Sequence, residues 1–270
     1  MKSSKQKMRK YWQLFLLSWQ NGLVYRLSLL LWRLRQFLST VMAMTIWTVV
    51  FTSQQTAFGY SQAQMITYMF TISILQSLVL ASVLNGLSGE VYSGALSKEL
   101  VKPLNLFAYL GIQDVADKAK NFIFVLIESA LIFMIFKPEL VLPNLTITII
   151  FLVWLLGGML LNFWISLLFG AIGFWSPQSW GPRFLFFMMV DFTAGKLFPL
   201  DILPQAVRAI VALTPFPYLS YYQTQLVLGR LDTAGVIQHS FILLLWVVVS
   251  GCCCIWLWKR GLQDYSAAGQ

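Results

Sequence analysis

Charge is what this chain has least of. Only 11% of its 270 residues are Asp, Glu, Lys or Arg, while 58% are hydrophobic. A soluble domain carries roughly 25% charged residues, because polar side chains must cover its surface. That fold class is excluded, and most of the chain must face lipid. Acidic residues are scarcest, ten against nineteen Lys and Arg, for a net charge of +9. An excess of this size invites a nucleic-acid reading, but eight of the nineteen cations precede Gln36. A basic end on an apolar body fits the cytoplasmic flank of an integral membrane protein, so no nucleic-acid partner is expected.

Histidine and cysteine are also few. The three cysteines, Cys252, Cys253 and Cys254, are consecutive and form no disulfide framework. Adjacent helical residues point about 100° apart, which makes a shared metal awkward, and His239 is too distant in sequence to complete a ligand set. No metal is expected; the cysteines read as small packing residues and His239 as a structural residue at a membrane boundary. No G-x-x-x-x-G-K-[ST] loop occurs, so the chain is not expected to bind ATP itself, and no H-E-x-x-H or G-x-S-x-G suggests catalysis. A cleavable signal peptide is not expected either, because Gln13, Gln20, Asn21, Arg26, Arg33 and Arg35 interrupt the first apolar stretch.

What is present is apolar runs. A bilayer core of about 30 Å needs about 20 helical residues, and six near-charge-free segments approach that length: Gln36–Thr52, Gln64–Leu87, Ala119–Phe136, Leu145–Phe169, Arg183–Phe198 and Phe241–Trp258. The first is short unless Leu29–Trp32 extend it, with Arg33 and Arg35 snorkelling to the headgroups. The fifth is short as well. The expectation is a single all-α integral membrane domain over residues 1–270 with six transmembrane helices. Placing both termini in the cytoplasm puts fifteen Lys and Arg inside and four outside, which satisfies the positive-inside bias.

Three segments lie outside the spans. In the N-terminal region, residues 1–28, Trp12, Phe15, Leu16, Trp19 and Leu23 recur at helical spacing beside Lys7, Arg9 and Lys10. This predicts an amphipathic helix in the inner leaflet, with Lys2–Lys5 as a solvated basic tail. The second connection, residues 88–118 and extending to Lys120, is too long for a hairpin link. Ala95–Val101 reads as a short helix ended by Pro103, with Leu96, Leu100 and Leu104 on one apolar edge and Lys98, Glu99 and Lys102 alternating in charge. The third, residues 198–238, is broken by Pro199, Pro204, Pro215 and Pro217. Ala206–Leu213 and Leu219–Leu228 are apolar enough to dip into the membrane from outside. Two acids, Glu128 and Asp191, fall within spans and should face the protein interior, either as structural groups or as lining of a substrate path.

Two stretches carry a family resemblance. GALSKELVKPLN, Gly94 to Asn105, resembles a G-x-L-x-x-x-L-x-[KR]-P-L signature after the second span. FGAIGFWSP (Phe169 to Pro177), AGKLFPLDILP (Ala194 to Pro204) and PFPYLSYYQTQLVLG (Pro215 to Gly229) together resemble a G-x-x-[FY]-P-L-x-x-[LF]-P plus P-F-x-Y ending. Both are similar to the permease subunits of the ABC type 2 exporter superfamily. The resemblance implies two six-span permeases, identical or different, paired in a bacterial inner membrane. Two separate ATPase subunits would hold ATP and Mg, so this chain itself would carry no cofactor. It further implies an elbow helix bearing Trp12, Phe15, Leu16 and Trp19, and a coupling site at Gly94, Leu96, Lys98, Glu99, Leu100, Lys102 and Pro103. An outer gate would be formed by Phe198, Pro199, Pro204, Pro215 and Tyr218. The alternative from another class is an ATP-independent channel or membrane scaffold, against which stands the sparse polar lining of the spans.

Overall fold

The computed structural model describes residues 2–24, 26–53, 55–178 and 180–265, with side chains from residue 8 onward. Helix α1 (Lys2–Val24) meets α2 (Arg26–Val50) at 79°. A small hairpin, β1 (Thr56–Ala57) with β2 (Tyr60–Ser61), turns through Phe58 and Gly59, both at positive φ. Ser61 and Gln64 then form a capping box that starts α3 (Gln62–Leu75). Short helices α4 (Leu87–Tyr92) and α5 (Ser97–Leu100) precede α6 (Leu106–Phe136). Next come α7 (Leu145–Ala171), α8 (Trp180–Thr193), α9 (Gln205–Ala212), α10 (Tyr221–Val227) and α11 (Thr233–Asp264). Asn105, Asn144 and Asp232 each accept a backbone N–H at the start of α6, α7 and α11, which is why these starts are sharp.

Among the described residues, four helical stretches are long and apolar enough to cross a membrane: Gln62–Leu80, Leu106–Phe136, Leu145–Phe174 and Thr233–Asp264. The bent α1–α2 pair supplies a fifth. Helix α8 has 14 residues, or ~21 Å at 1.5 Å per residue, shorter than the hydrocarbon core. The expected segment Arg183–Phe198 is thus helical only to Thr193, and Gly195, at φ +75°, turns the chain out of it.

Three expected boundaries move. In the last span α11 begins at Thr233, not Phe241, which takes residues 233–238 from the expected outer segment. The second span stops at Leu80, not Leu87: α3 runs through one π turn, Gln76–Leu80, and breaks into extended backbone at Ala81 and Ser82. The third helix begins at Leu106, not Ala119, so much of the expected loop 88–118 is the first part of α6. A charge-free window misses that start because Asp114, Lys118 and Lys120 lie on it, yet all three are buried. The basic tail Lys2–Lys5 is helical in α1; its side chains lie outside the described residues.

The bundle core has three apolar clusters. One gathers Met44, Tyr60, Met65, Tyr68 and Ile132 with Leu200 and Tyr221. A middle one joins Leu75, Trp154, Leu161 and Val190 to Tyr218 and Leu243. The third, at the end carrying α4 and α5, packs Leu84, Leu87, Val91 and Leu96 with Tyr109, Phe174 and Trp258. There α4 crosses the end of α7 so closely that a Cβ on Gly173 would stand 2.1 Å from the Ser88 carbonyl oxygen. Helix α1 lies along α6. Its half-buried face is Tyr11, Leu14, Phe15, Ser18, Trp19 and Gly22, while Trp12, Leu16 and Leu23 are exposed. Only Phe15 and Trp19 of the expected stripe therefore belong to the packed face. Trp12 stacks on Phe15 at 5.4 Å and leaves its other side free.

Candidate functional site

A cavity of about 390 Å³ opens between α2, the end of α3, α7 and α8. Its polar wall comes from Arg33, Arg35 and Gln36 on α2, Gln76 and Ser77 in the π turn, Asn85, and Asn162 and Ser166 on α7. The opposite wall is Phe184, Phe186, Phe187, Met188 and Val190 on α8, with Asp191 and Lys196 at its end. The π turn matters locally because one extra residue in the helical ladder re-aims the side chains that follow, and both Gln76 and Ser77 in it line the cavity.

Arg33 holds the polar wall together. It is 7% exposed, whereas snorkelling was expected. Its guanidinium donates to Ser77 Oγ at 3.0 Å and to Asn121 Oδ1, lies 3.7 Å from Glu128, and faces the Phe124 ring. A side chain that can reach three polar partners inside the bundle gains more than one that reaches headgroups. Arg33, Thr40 and Met44 are the buried residues of α2, and with Gln36, which donates to Gln76 Oε1 at 2.6 Å, they define the inward stripe. That polar spacing is visible in the sequence, but arginines at a span end usually snorkel. Arg35 is exposed and lies 4.3 Å over the Trp32 ring.

The two candidate acids separate. Asp191 lines the cavity and pairs with Lys196 at 2.7 Å. Glu128 sits behind the wall, paired with Arg33, and borders a separate small space with Thr40 and Ser73. Both are paired, as acids in lipid must be. A second buried cation, on a stretch that the sequence alone marks as a cytoplasmic connection, is Lys118. Lys118 donates to the carbonyls of Leu78, Val79 and Ala81 at 3.1, 3.2 and 2.8 Å, and lies 3.5 Å from Asp114. It caps the orphan carbonyls where α3 breaks off, the favourable place for a cation at a helix C-terminus.

The segment Gly94–Pro103 is rooted and projecting at once. Gly94, at φ +76°, turns the chain, and Leu96 is 1% exposed in the core cluster beside Tyr109 and Trp258. Lys98, Leu100, Lys102 and Pro103 are exposed, while Glu99 is half-buried and pairs with Lys102, whose ammonium also lies 5.0 Å from the Tyr109 ring. The expected apolar edge of Leu96, Leu100 and Leu104 is therefore divided: Leu96 points inward, Leu104 packs against the cluster, and Leu100 faces out.

At the opposite end, α9 and α10 fall within the two apolar stretches that the sequence marked. Helix α9 is exposed up to Ile210, with Val211 buried and Ala212 half-buried, whereas α10 is buried except for half-buried Tyr222. Asp201 fastens this region: it accepts from Tyr60 Oη, from Tyr221 Oη at 2.7 Å and from Gln225 Nε2 at 2.9 Å. Burial, then the Asp201 carboxylate, pushes the Tyr60 and Tyr221 hydroxyls well above the usual phenol range. Pro199, Pro204 and Pro215 stand at the starts of the 3-10 turn Leu200–Ile202, of α9 and of the turn Phe216–Leu219. Phe198 is half-buried near Phe192; Tyr218 is buried, its Oη 3.0 Å from His239 Nδ1. His239 stacks on Tyr222 at 3.8 Å. Cys252 and Cys253 face outward and Cys254 is buried.

The family model described as ABC-2 family transporter protein matches residues 37–269, from the middle of α2 to past the C-terminal end of α11. No curated protein matches. The match takes in the cavity's α3, α7 and α8 walls, the projecting segment 94–103 and the region fastened by Asp201. By this match, and by its bundle of long apolar helices, the chain is a multi-pass membrane protein that belongs to the ABC-2 transporter family, with the permease character of that family.

Proposed function

We propose that the chain is the permease subunit of an ATP-driven exporter, paired with a second permease, identical or not, and served by two separate ATPase subunits that hold ATP and Mg. The observation that carries this reading is the family match over residues 37–269. In this arrangement α2, α3, α6, α7, α8 and α11 are the six crossings, with α8 completed by the non-helical residues 194–199. Both termini lie in the cytoplasm of a bacterial inner membrane, which the distribution of Lys and Arg supports.

Lys98, Glu99, Leu100, Lys102 and Pro103 meet the ATPase, while Gly94 and Leu96 root that segment in the bundle. Helix α1, through Trp12, Phe15, Leu16 and Trp19, is the elbow on the cytoplasmic side, packed against α6. ATPase closure pushes the projecting segment; because Leu96 shares a core cluster with Tyr109 on α6, Leu167 on α7 and Trp258 on α11, the push is delivered to three long helices as a rigid-body displacement. Asp191 lines the substrate path directly and Glu128 acts by holding Arg33 in its wall. Phe198, Pro199, Pro204, Pro215 and Tyr218 form the outer closure, with α9 and α10 as the re-entrant pair.

The test is co-purification of the tagged chain from its native membrane with mass spectrometry of its companions. A stoichiometric ATP-binding subunit is expected, and recovery of the chain alone in several detergents with ATP present would defeat the reading. Lys98→Glu with Leu100→Asp should sever that association while leaving membrane abundance unchanged; an intact complex would remove the coupling role from this segment.

A further inference from the structure

We propose that the cavity beside α8 binds an acidic amphiphile, a phosphate- or carboxylate-bearing headgroup on an apolar tail, and that Arg35 selects for the acid. The inference names the substrate class for the permease reading and rests on it for the transported role, but the binding itself stands on the cavity.

Charge decides the headgroup. Of the cations on the walls, Arg33 is answered by Glu128 and Lys196 by Asp191, whereas Arg35 has no carboxylate partner among the described residues. Stacking on Trp32 uses the face of its guanidinium and leaves the N–H edge, which fits a carboxylate or phosphate bidentately. An occupant that is a cation would instead meet an unneutralised Arg35.

Shape decides the tail. The polar groups lie on the α2, α3 and α7 walls and the α8 wall is aromatic, so a free ion or a sugar would leave half the lining unused. A space of about 390 Å³ is at the small end for ligand pockets and holds a headgroup rather than a whole lipid. The tail then runs out past Trp32, Phe184 and Met188, whose exposed faces form an apolar rim.

The experiment titrates the purified full-length chain in detergent, without any ATPase, with four probes: dioctanoyl phosphatidate, dioctanoyl phosphatidylcholine, dioctanoylglycerol and inorganic phosphate. Saturable binding of the phosphatidate, at least about tenfold tighter than the other three, is expected; a tenfold change is ~1.4 kcal/mol. Arg35→Gln should weaken it by about tenfold, on the scale of one charge-assisted hydrogen bond, and unchanged binding in that variant would overturn the selecting role of Arg35. Lys259→Gln with Arg260→Gln, which removes two cations from the end of α11 outside the cavity, should change nothing. Equal binding of phosphatidylcholine or dioctanoylglycerol would overturn the acidic headgroup, and equal binding of inorganic phosphate would overturn the amphiphile. Equal loss in the Lys259 and Arg260 control would overturn the site. Because no ATPase is present, failure here leaves the permease reading untouched. Selective binding without an ATPase in the co-purification would refute that reading alone.

Discussion

Arg33 and Lys118 illustrate how single residues set this structure. Each is a cation withdrawn from water, which is tolerable only because every direction it points in holds a partner. Removing Arg33 strands Glu128, so Arg33→Met should destabilise by about 3 kcal/mol, on the scale of breaking a buried pair. The double change Arg33→Met with Glu128→Gln should recover much of that loss. Thermal unfolding of the purified variants checks both; a single variant as stable as the parent would mean that the pair contributes nothing. The same reasoning assigns Lys118 to the broken end of α3, where it occupies three carbonyls at once. The Lys and Arg residues were legible in the sequence as charges to be placed inside or outside. That two of them point into the bundle depends on partners far away in the chain, Ser77 and Glu128 for Arg33, and Leu78, Val79 and Ala81 for Lys118.

At the scale of elements, two junctions matter. Helix α4 rests on the end of α7 through Gly173, where any side chain would collide with the Ser88 backbone. Gly173→Ala should therefore cost about 1–3 kcal/mol, the range for forced overpacking, and lower membrane abundance. Gly89→Ala on the same short helix meets nothing and should be silent, so equal loss in both would point to helix α4 itself. The second junction is the Asp201 cluster. The Tyr60 and Tyr221 hydroxyls titrate higher in the folded chain than the unfolded value of about 10, so folding favours their neutral, protonated form. Their contribution is complete below pH ~10 and is lost as pH rises through the folded values. Unfolding temperature should fall above pH ~10, and Tyr221→Phe should flatten that fall. An equally steep fall in the variant would take Tyr221 out of the cause.

For the whole molecule, the organisation is a set of long helices clamped at both ends by short ones. Alkaline phosphatase fusions at Lys137 or Gly229 should be active outside the cytoplasm, and fusions at Val101 or Asp264 inactive; the reverse pattern would invert the orientation. Between the clamps lies the cavity, bordered by Arg33 and Asp191, with Glu128 paired behind it. Asp191→Asn should preserve membrane abundance and reduce transport if the ion pair with Lys196 shapes the path, which transport assays on equal amounts of protein would read.

That the chain is an all-α bundle of long apolar helices, and its family, were legible in the sequence, because hydropathy acts over a few neighbouring residues; the count was not, since the sequence marks six spans where four helices, or five with the bent α1–α2 pair, are long and apolar enough to cross. GALSKELVKPLN and the proline-rich 194–229 region also carried the family without any tertiary information. What only the tertiary structure decided is which polar residues point inward. Leu96 looked like part of an outward edge and is core; the charges on the first part of α6 are buried rather than solvated; Asn162 on α7 and Gln76 in the π turn line one cavity only when the helices pack. The physical reason is that a polar group in an apolar bundle is placed by its partner, and those partners are separated by tens of residues along the chain.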